Sequence, residues 1–251
     1  MKLRFGAATL AKRGNSPDEN EDAFAPLVTE AVQSLPFNCA VADGATETSY
    51  SGLWAKMLSE YFCTLEQPDQ FQGQLPQLRE RWRSTTGSRP LPWYAEQKLE
   101  KGAFATLIGV RITEAEFQHA RWQAISVGDS VLFHVRESKP YSTFPMMSSE
   151  DFKNRPMLLS TNTATEEAEM NLYQLSQGVL EVGDWLILAS DKLAEWIIRE
   201  IETDMRPFDL IQQMTRTENS FPQLIESLTQ RNDIKNDDYT LLWVEACGDG
   251  I

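Results

Sequence analysis

The sequence predicts a single α+β domain spanning residues 1–251, with sheet strands packed between helices. Two observations indicate this class. Short apolar runs of the length of buried strands recur along the chain, and amphipathic helical segments occur between them, often in pairs. The sequence shows no internal repeat and no linker that would mark a domain boundary. A chain of 251 residues is also long enough to bury a substantial core.

Composition narrows the range of partners. The formal net charge of -14 argues against nucleic acid or an anionic membrane as a binding partner. No apolar run approaches transmembrane length, and the first residues are too polar for a signal peptide. The 3 cysteines and 2 histidines are scattered, which argues against a disulfide framework or a zinc site. We therefore expect a cytoplasmic monomer that binds neither nucleic acid nor membrane.

The first third of the chain predicts three strands and a helix. Strands are expected at 2–9 and 23–28, separated by a polar loop at 12–22. The apolar run that begins at Phe37 predicts a buried strand, and it ends abruptly at Asp43 and Gly44. A helix over 50–64 is predicted by apolar residues at helical spacing, namely Leu53, Trp54, Met57, Leu58, Tyr61 and Phe62.

The middle of the chain predicts helices, then strands, then an irregular segment. Two helices are expected within 75–101, interrupted at 84–92. Strands follow at 103–110, 119–127 and 130–136, the last two joined by a hairpin turn at Gly128-Asp129. Residues 137–180 are rich in proline, serine, threonine and asparagine, which predicts an irregular excursion over the surface.

The last third returns to regular structure. A buried strand over 184–190 ends at Asp191, and helices are predicted at 192–202, 208–215 and 221–230. An acidic loop at 232–238 leads into a closing strand at 239–245.

Acidic residues stand at the ends of several predicted strands, at Glu21/Asp22, Asp43, Asp191 and Asp237/Asp238. If these carboxylates converge, their mutual repulsion would be relieved by cations. Ligands that are all oxygen favour Mg²⁺ or Mn²⁺. Two such ions would generate a hydroxide nucleophile for phosphate esters. Spacing alone leaves the alternative open that these are ordinary acids in surface loops.

Six short motifs, in order along the chain, carry a resemblance to a known family. They are Asn20-Glu21-Asp22-Ala23, Val41-Ala42-Asp43-Gly44, Gly102-Ala103-Phe104-Ala105-Thr106, Val127-Gly128-Asp129-Ser130, Leu188-Ala189-Ser190-Asp191 and Asn236-Asp237-Asp238-Tyr239-Thr240. Together they closely resemble the type-2C metal-dependent protein phosphatases, the PPM family, in its compact bacterial branch. The resemblance extends from about residue 6 to residue 244.

The resemblance implies a fold and a reaction. The fold would be a four-layer α-β-β-α sandwich with two central antiparallel sheets, and 137–180 would correspond to a mobile flap beside the active site. The reaction would be hydrolysis of phosphoserine and phosphothreonine in proteins by a dinuclear Mn²⁺/Mg²⁺ centre. Asp43, Asp191 and Asp237 would be the catalytic carboxylates.

The resemblance also implies ligand roles. Asp43 would bridge the two metal ions, with a carbonyl from Gly44, while Asp191 and Asp237 would bind one ion. Glu21 and Asp22 would act mostly through bound water. Asp129 and Glu195 would hold a weaker third ion.

Three positions depart from the family pattern. Pro17 stands where a phosphate-binding arginine is usual, and Arg13 is the candidate substitute, with Lys12 in the same loop. Lys192 replaces a glycine beside Asp191, and Glu195 replaces an aspartate. These departures affect the expected substrate contact and the third metal site.

Two functions are therefore compatible with the sequence. The first is a metal-dependent protein phosphatase acting on a phosphoprotein, opposing a bacterial Ser/Thr kinase. The second is a catalytically weak regulatory module that binds a phosphorylated or protein partner through the same cleft. The retained acids favour the enzyme, whereas Pro17, Lys192 and Glu195 keep the second function open.

Overall fold

The computed structural model describes residues 1–28, 30–46, 50–87, 101–114, 119–145, 148–153, 155–162, 172–217 and 220–248. Its strands are β1 (Lys2–Leu10), β2 (Asp22–Ala25), β3 (Glu30–Ser34), β4 (Phe37–Asp43), β5 (Phe104–Ala105), β6 (Leu107–Glu114), β7 (Ala120–Val127), β8 (Val131–Arg136), β9 (Lys139–Phe144), β10 (Leu159–Ser160), β11 (Gln174–Leu180), β12 (Trp185–Ala189) and β13 (Tyr239–Cys247). Its α-helices are α1 (Ser51–Phe62), α2 (Phe71–Thr86), α3 (Asp191–Glu202), α4 (Pro207–Met214) and α5 (Ser220–Gln230).

Most strands belong to two large antiparallel sheets. The first sheet has the order β3-β1-β13-β12-β8-β9, and the second has the order β11-β7-β6-β4-β2. A separate two-stranded ladder joins β5 to β10. The chain therefore crosses between sheets several times, and its N-terminal and C-terminal strands, β1 and β13, lie side by side.

Three apolar cores separate four layers. The inner faces of the two sheets pack against each other around residues such as Val41, Ile108 and Leu188. Helices α1 and α2 cover the outer face of the second sheet, with Trp54 and Phe62 buried there. Helices α3, α4 and α5 cover the outer face of the first sheet. The predicted α-β-β-α sandwich with two central antiparallel sheets is thus confirmed.

Several local predictions were wrong. Residues 127–131 do not form a hairpin, because β7 lies in the second sheet and β8 in the first, so Gly128-Asp129 carries the chain from one sheet to the other. Strand β3 was missed because it is an edge strand whose Glu30, Gln33 and Ser34 are exposed, which leaves no apolar pattern to detect. The strand predicted at 23–28 ends at Ala25.

The segments predicted to be least regular also differ from expectation. In place of a helix beginning near residue 75, helix α2 begins at Phe71 and continues to Thr86, past the predicted break at 84. The rest of the predicted second helix, 88–100, lies outside the described residues. The 137–180 segment contains β9, β10 and β11, so it is more regular than its composition predicts. Residues 146–147, 154 and 163–171 of this segment also lie outside the described residues.

Among the described residues, no helix combines the length and the apolar character that crossing a bilayer requires.

Candidate metal centre

The predicted acids lie at one end of the two-sheet sandwich. Asp22 begins β2 and Asp43 ends β4, and the two are direct partners in the antiparallel ladder. The other acids flank strands of the first sheet: Asp129 precedes β8, Asp191 follows β12 and begins α3, and Asp237 precedes β13. The register places Val131, Ala189 and Leu241 side by side, so these three acids leave the sheet at the same end.

Backbone hydrogen bonds fix the position of Asp43. Its N–H donates to Oγ1 of Thr106 at 3.0 Å, and its carbonyl accepts from the N–H of Thr106 at 2.8 Å. Oγ1 of Thr106 also lies 2.6 Å from Oγ of Ser130, which belongs to the crossing between the sheets. This buried pair of hydroxyls connects β4 to the Asp129 segment, so both carboxylates rest on one rigid support.

Gly44 occupies a position that no other residue can fill. A Cβ atom there would lie 2.7 Å from the backbone carbon of Ser51 and 2.8 Å from the carbonyl oxygen of Glu21. The N–H of Gly44 donates to that carbonyl of Glu21 at 3.1 Å. Glycine is therefore required because β4, the Glu21 segment and the start of α1 approach so closely.

Asp22 is a buried carboxylate with little hydrogen-bond support. Neither of its oxygen atoms is solvent-exposed, and neither has a hydrogen bond of normal length and angle among the described residues. Burial raises the pKa of Asp22 to about 8, and the nearby charge of Asp191 adds to the rise, while the hydroxyls of Ser190 and Thr240 reduce it. A buried and unpaired carboxylate of this kind is strongly unfavourable unless a cation approaches it.

The neighbouring acids share this electrostatic environment. Burial, with the charges of Asp22 and Asp191, raises the pKa of Asp43 well above its usual value. Burial and Asp191 raise the pKa of Asp129 to about 7, and the same two causes raise the pKa of Asp237. The carboxylates are close enough to repel one another, so the site attracts positive charge.

Glu21 stands at the rim of the cluster. Burial raises its pKa, while Thr46 and Lys12 act in the opposite direction. Nζ of Lys12 lies 3.7 Å from Oε2 of Glu21. Arg13, the predicted substitute for the phosphate-binding arginine, lines a pocket beside α5 with Pro222 and Glu226. Lys12 is thus the basic side chain that this loop places next to the acids.

Asp238 is a site residue to which the sequence analysis gave no role. It is 5% exposed, and its two carboxylate oxygens accept from the backbone N–H groups of Lys12 at 2.7 Å and Glu21 at 2.9 Å. It therefore joins the loop before β2 to the start of β13. Its position in the acidic loop beside Asp237 indicated that it could belong to the site. Only the fold shows that Asp238, and not Asp237, binds the backbone of the loop before β2.

The start of α3 contains an unexpected ion pair. Nζ of Lys192 contacts Oδ2 of Asp191, and the backbone N–H of Lys192 donates to Oδ1 of the same carboxylate at 2.5 Å. Burial opposes the charge of Lys192, but Asp191 outweighs it and the pKa of Lys192 is raised. Glu195, one turn further along, lies near enough to Asp129 to contribute to the raised pKa of that residue.

The donor set fits a hard divalent cation. The converging groups are carboxylates, and both oxygens of one of them, Asp22, are buried without a hydrogen bond of normal geometry among the described residues. Within the described ranges, however, no three or more acids, thiols or imidazoles are arranged so that they could hold a metal ion as they stand. The chemistry of the oxygen donors is of the kind that Mn²⁺ and Mg²⁺ prefer.

Comparison with known proteins gives one kind of match. No protein-family model matches the chain, and no curated protein matches it. Solved structures do match over nearly the full length of both chains. The catalytic domain of the serine/threonine protein phosphatase PstP, in complex with two manganese ions, shares 15% identity and a TM-score of 0.58, with 98% of this chain and 100% of that chain covered.

Two further structures show the same similarity. The photosystem II phosphatase PBCP shares 16% identity and a TM-score of 0.60 over 97% of this chain and 98% of that chain. The PPM Ser-Thr phosphatase MsPP from Mycobacterium smegmatis shares 16% identity and a TM-score of 0.52 over 97% and 98%. At these identities the similarity concerns the fold, and this chain has the fold of the PPM serine/threonine phosphatases.

Proposed function

We propose that this protein is a metal-dependent phosphatase that hydrolyses phosphoserine and phosphothreonine in proteins. The observation that carries the proposal is the buried carboxylate of Asp22, which is paired with Asp43 in the ladder and, among the described residues, has the hydroxyls of Ser190 and Thr240 near it but no basic side chain to balance its charge. An acidic cluster with such a residue is suited to divalent cations, and it lies in a fold that solved PPM phosphatases share.

The proposed centre contains two Mn²⁺ or Mg²⁺ ions. Asp43 would be a ligand of both ions, and the Gly44 carbonyl would be a further ligand. Asp191 and Asp237 would bind one of the ions, and Glu21 and Asp22 would contribute through water. When bound, the metals supply Lewis acidity, which lowers the pKa of water and stabilises charge on a phosphoryl group. A weaker third ion would use Asp129 and Glu195.

The protein supplies orientation as well as ligands. Asp238 holds the Lys12–Glu21 loop against β13 through two backbone hydrogen bonds. We assign to Lys12 the phosphate contact that the sequence analysis gave to Arg13, because the Lys12 ammonium lies beside Glu21. An open cleft of about 490 Å³, lined by Lys12, Glu21 and Tyr50, adjoins the acids and offers space for a peptide.

The physiological setting is part of the proposal. A phosphoprotein substrate, a bacterial Ser/Thr kinase that the enzyme opposes, a cytoplasmic location and a monomeric state follow from the resemblance in sequence and from composition. One neighbour in fold, PppA of Pseudomonas aeruginosa, is described as a key regulatory component of a T6SS.

A second function is favoured by a specific observation. The Lys192 ammonium already contacts Asp191, one of the proposed ligands. If this contact persists, the cleft would bind a phosphorylated partner without efficient hydrolysis, as a regulatory module.

A hydrolysis assay separates the two functions. We expect the purified protein to hydrolyse a generic phosphate ester and a phosphothreonine peptide with Mn²⁺ and to lose this activity with a chelator. Asp209→Asn, an exposed carboxylate on α4, serves as a matched control and should retain full activity. Binding of the phosphopeptide without turnover under all metal conditions would favour the regulatory module.

A further inference from the structure

We propose that Lys192 is a built-in cation of the acidic cluster, which holds Asp191 in the metal-free protein and must leave it before a divalent ion can bind there. This inference rests on the metal centre proposed above. It makes Lys192 a positioning residue that sets the affinity for metal, rather than a group that contacts the substrate.

Lys192 contacts both carboxylate oxygens of Asp191. One oxygen of Asp191 accepts the backbone N–H of Lys192, and the other contacts the side-chain ammonium. The two side chains are 20% and 16% exposed, so the pair is largely shielded from solvent. A divalent ion that used Oδ2 of Asp191 would meet the ammonium at the same oxygen.

The ammonium also acts on the acids around it. Asp129 and Asp237 both interact electrostatically with Lys192, which lowers the pKa of each and partly offsets burial. On the other side of the cluster, no basic side chain among the described residues pairs with Asp22. Lys192 therefore neutralises only the α3 side of the site and leaves the β2 side to an external cation.

The position of Lys192 in its helix supports this role. It is the second residue of α3, where the helix dipole disfavours a positive charge. Arg199, in the last turn of α3, is at the end of the helix where the dipole favours a positive charge. A lysine at the N-terminal end is stabilised here because Asp191 and its neighbours surround it.

Two consequences follow for metal binding. The first divalent ion binds on the side of Asp22 and Asp43, because among the described residues no basic side chain forms an ion pair with either carboxylate. The second, which needs Asp191, binds more weakly because it must displace Lys192. Removing the ammonium should therefore tighten the weaker ion while destabilising the metal-free protein, since Asp191 would lose its counter-charge.

Titration calorimetry with Mn²⁺ and thermal melting in chelator test the inference. Lys192→Met removes the charge and keeps most of the aliphatic stem. We expect it to bind the weaker Mn²⁺ ion at least tenfold more tightly and to melt at a lower temperature in chelator. Lys192→Arg should not bind Mn²⁺ more tightly than wild type. Lys56→Met is the matched control, because Lys56 pairs with Glu60 on the exposed face of α1, and it should change neither value.

The outcomes distinguish this inference from the proposed function. Equal Mn²⁺ affinity in wild type and Lys192→Met would overturn the role of Lys192 and leave the metal centre standing. Absence of Mn²⁺ binding in both proteins at millimolar concentration would overturn the metal centre and this inference with it. If Lys192→Met does not fold, Lys192→Gln provides the same comparison.

Discussion

The acidic residues near the two ends of strand β12 differ in how their charge is balanced. Asp184 precedes the strand and Asp191 follows it, so the two lie roughly 20 Å apart along the sheet. Asp184 accepts hydrogen bonds from Nε of Arg136 at 2.8 Å, Nη2 of Arg136 at 2.7 Å, Nε2 of His134 at 2.9 Å and the N–H of Glu181 at 2.8 Å. Among the described residues, the cluster near Asp191 has ion pairs with two basic side chains, Lys192 on Asp191 and Lys12 on Glu21.

The pKa shifts of the two ends have opposite signs. Burial opposes ionisation of Asp184, but the bonds from Arg136, Glu181 and His134 outweigh it and the pKa of Asp184 is lowered. At the other end the pKa of Asp22 is raised to about 8 and that of Asp43 is also raised. The protein satisfies its buried acids internally where they serve stability. Under the proposed function, the acids with raised pKa values are the ones to which an external cation would bind.

We expect the largest effect on activity from a substitution in the cluster of acids with raised pKa values. Asp43→Asn should preserve the fold and reduce phosphate-ester hydrolysis by about three orders of magnitude, because the proposed centre uses this carboxylate as a ligand of both ions. Steady-state rates of the purified variant in Mn²⁺ provide the measurement. A rate within tenfold of wild type would remove Asp43 from the centre.

Removing a hydrogen-bond donor from Asp184 should lower the stability of the fold without changing the rate of catalysis. Arg136→Met leaves Asp184 buried without its main partner and should lower the free energy of unfolding by about 2–4 kcal/mol, slightly less than for a fully buried pair because Arg136 is 29% exposed. Chemical denaturation measures this change. Rates per folded molecule should match wild type, and a large loss of turnover would mean that the two ends are coupled.

The two ends also predict opposite responses to pH. A carboxyl group whose pKa is raised in the folded state keeps its proton where the unfolded chain has lost it, so folding stability falls as pH rises between the two values. For Asp22, with a folded pKa of about 8, the metal-free protein should lose stability between about pH 4 and pH 8. Asp184 contributes stability that is lost only in acid, as pH falls through its lowered pKa.

Melting curves in chelator across this pH range provide the test. The decline with rising pH should be smaller in Asp22→Asn, because the substituted side chain does not ionise. Mn²⁺ should stabilise the protein most at the upper end of the range, since it binds the deprotonated acids. A metal-free melting temperature that rises steadily from pH 5 to pH 8 would contradict the assignment.

Glu21 should give the smallest effect of the acids. It lies at the rim, its charge is partly balanced by Lys12, and its proposed contact with metal is through water. We expect Glu21→Gln to reduce turnover by about tenfold, the range seen when supporting residues of a metal site are changed. An effect as large as that of Asp43→Asn would place Glu21 among the direct ligands.

The strands and helices that position the site were predictable from sequence because apolar periodicity reports burial. Strand β4, helix α1 and strand β12 all carry continuous or helical apolar patterns, and each lies within a few residues of its predicted range. Edge strand β3 and the sheet crossing at Gly128 were not predictable in this way. Their conformations depend on which sheet the chain joins, which is a property of tertiary structure.

The sequence indicated which acids the fold brings together, and it did not indicate their electrostatics. The ordered motifs contain Asp22, Asp43, Asp129, Asp191 and Asp237, which the structure places at one end of the sandwich; their role as a metal site stays a prediction. Sequence could not show that Asp238 holds the loop before β2, since either of two adjacent acids fits that role. Likewise, a lysine beside Asp191 can point away or form an ion pair, and only the packing of α3 decides between them.

Stoichiometric Mn²⁺ binding tests the central claim most directly. Electron paramagnetic resonance of free Mn²⁺ during titration counts the ions bound to wild type, Asp43→Asn and Asp209→Asn, and spin coupling in the bound signal reports paired ions. We predict two coupled ions in wild type and in Asp209→Asn, and loss of the coupled pair in Asp43→Asn. Equal binding by all three proteins, or no binding to wild type, would contradict the account.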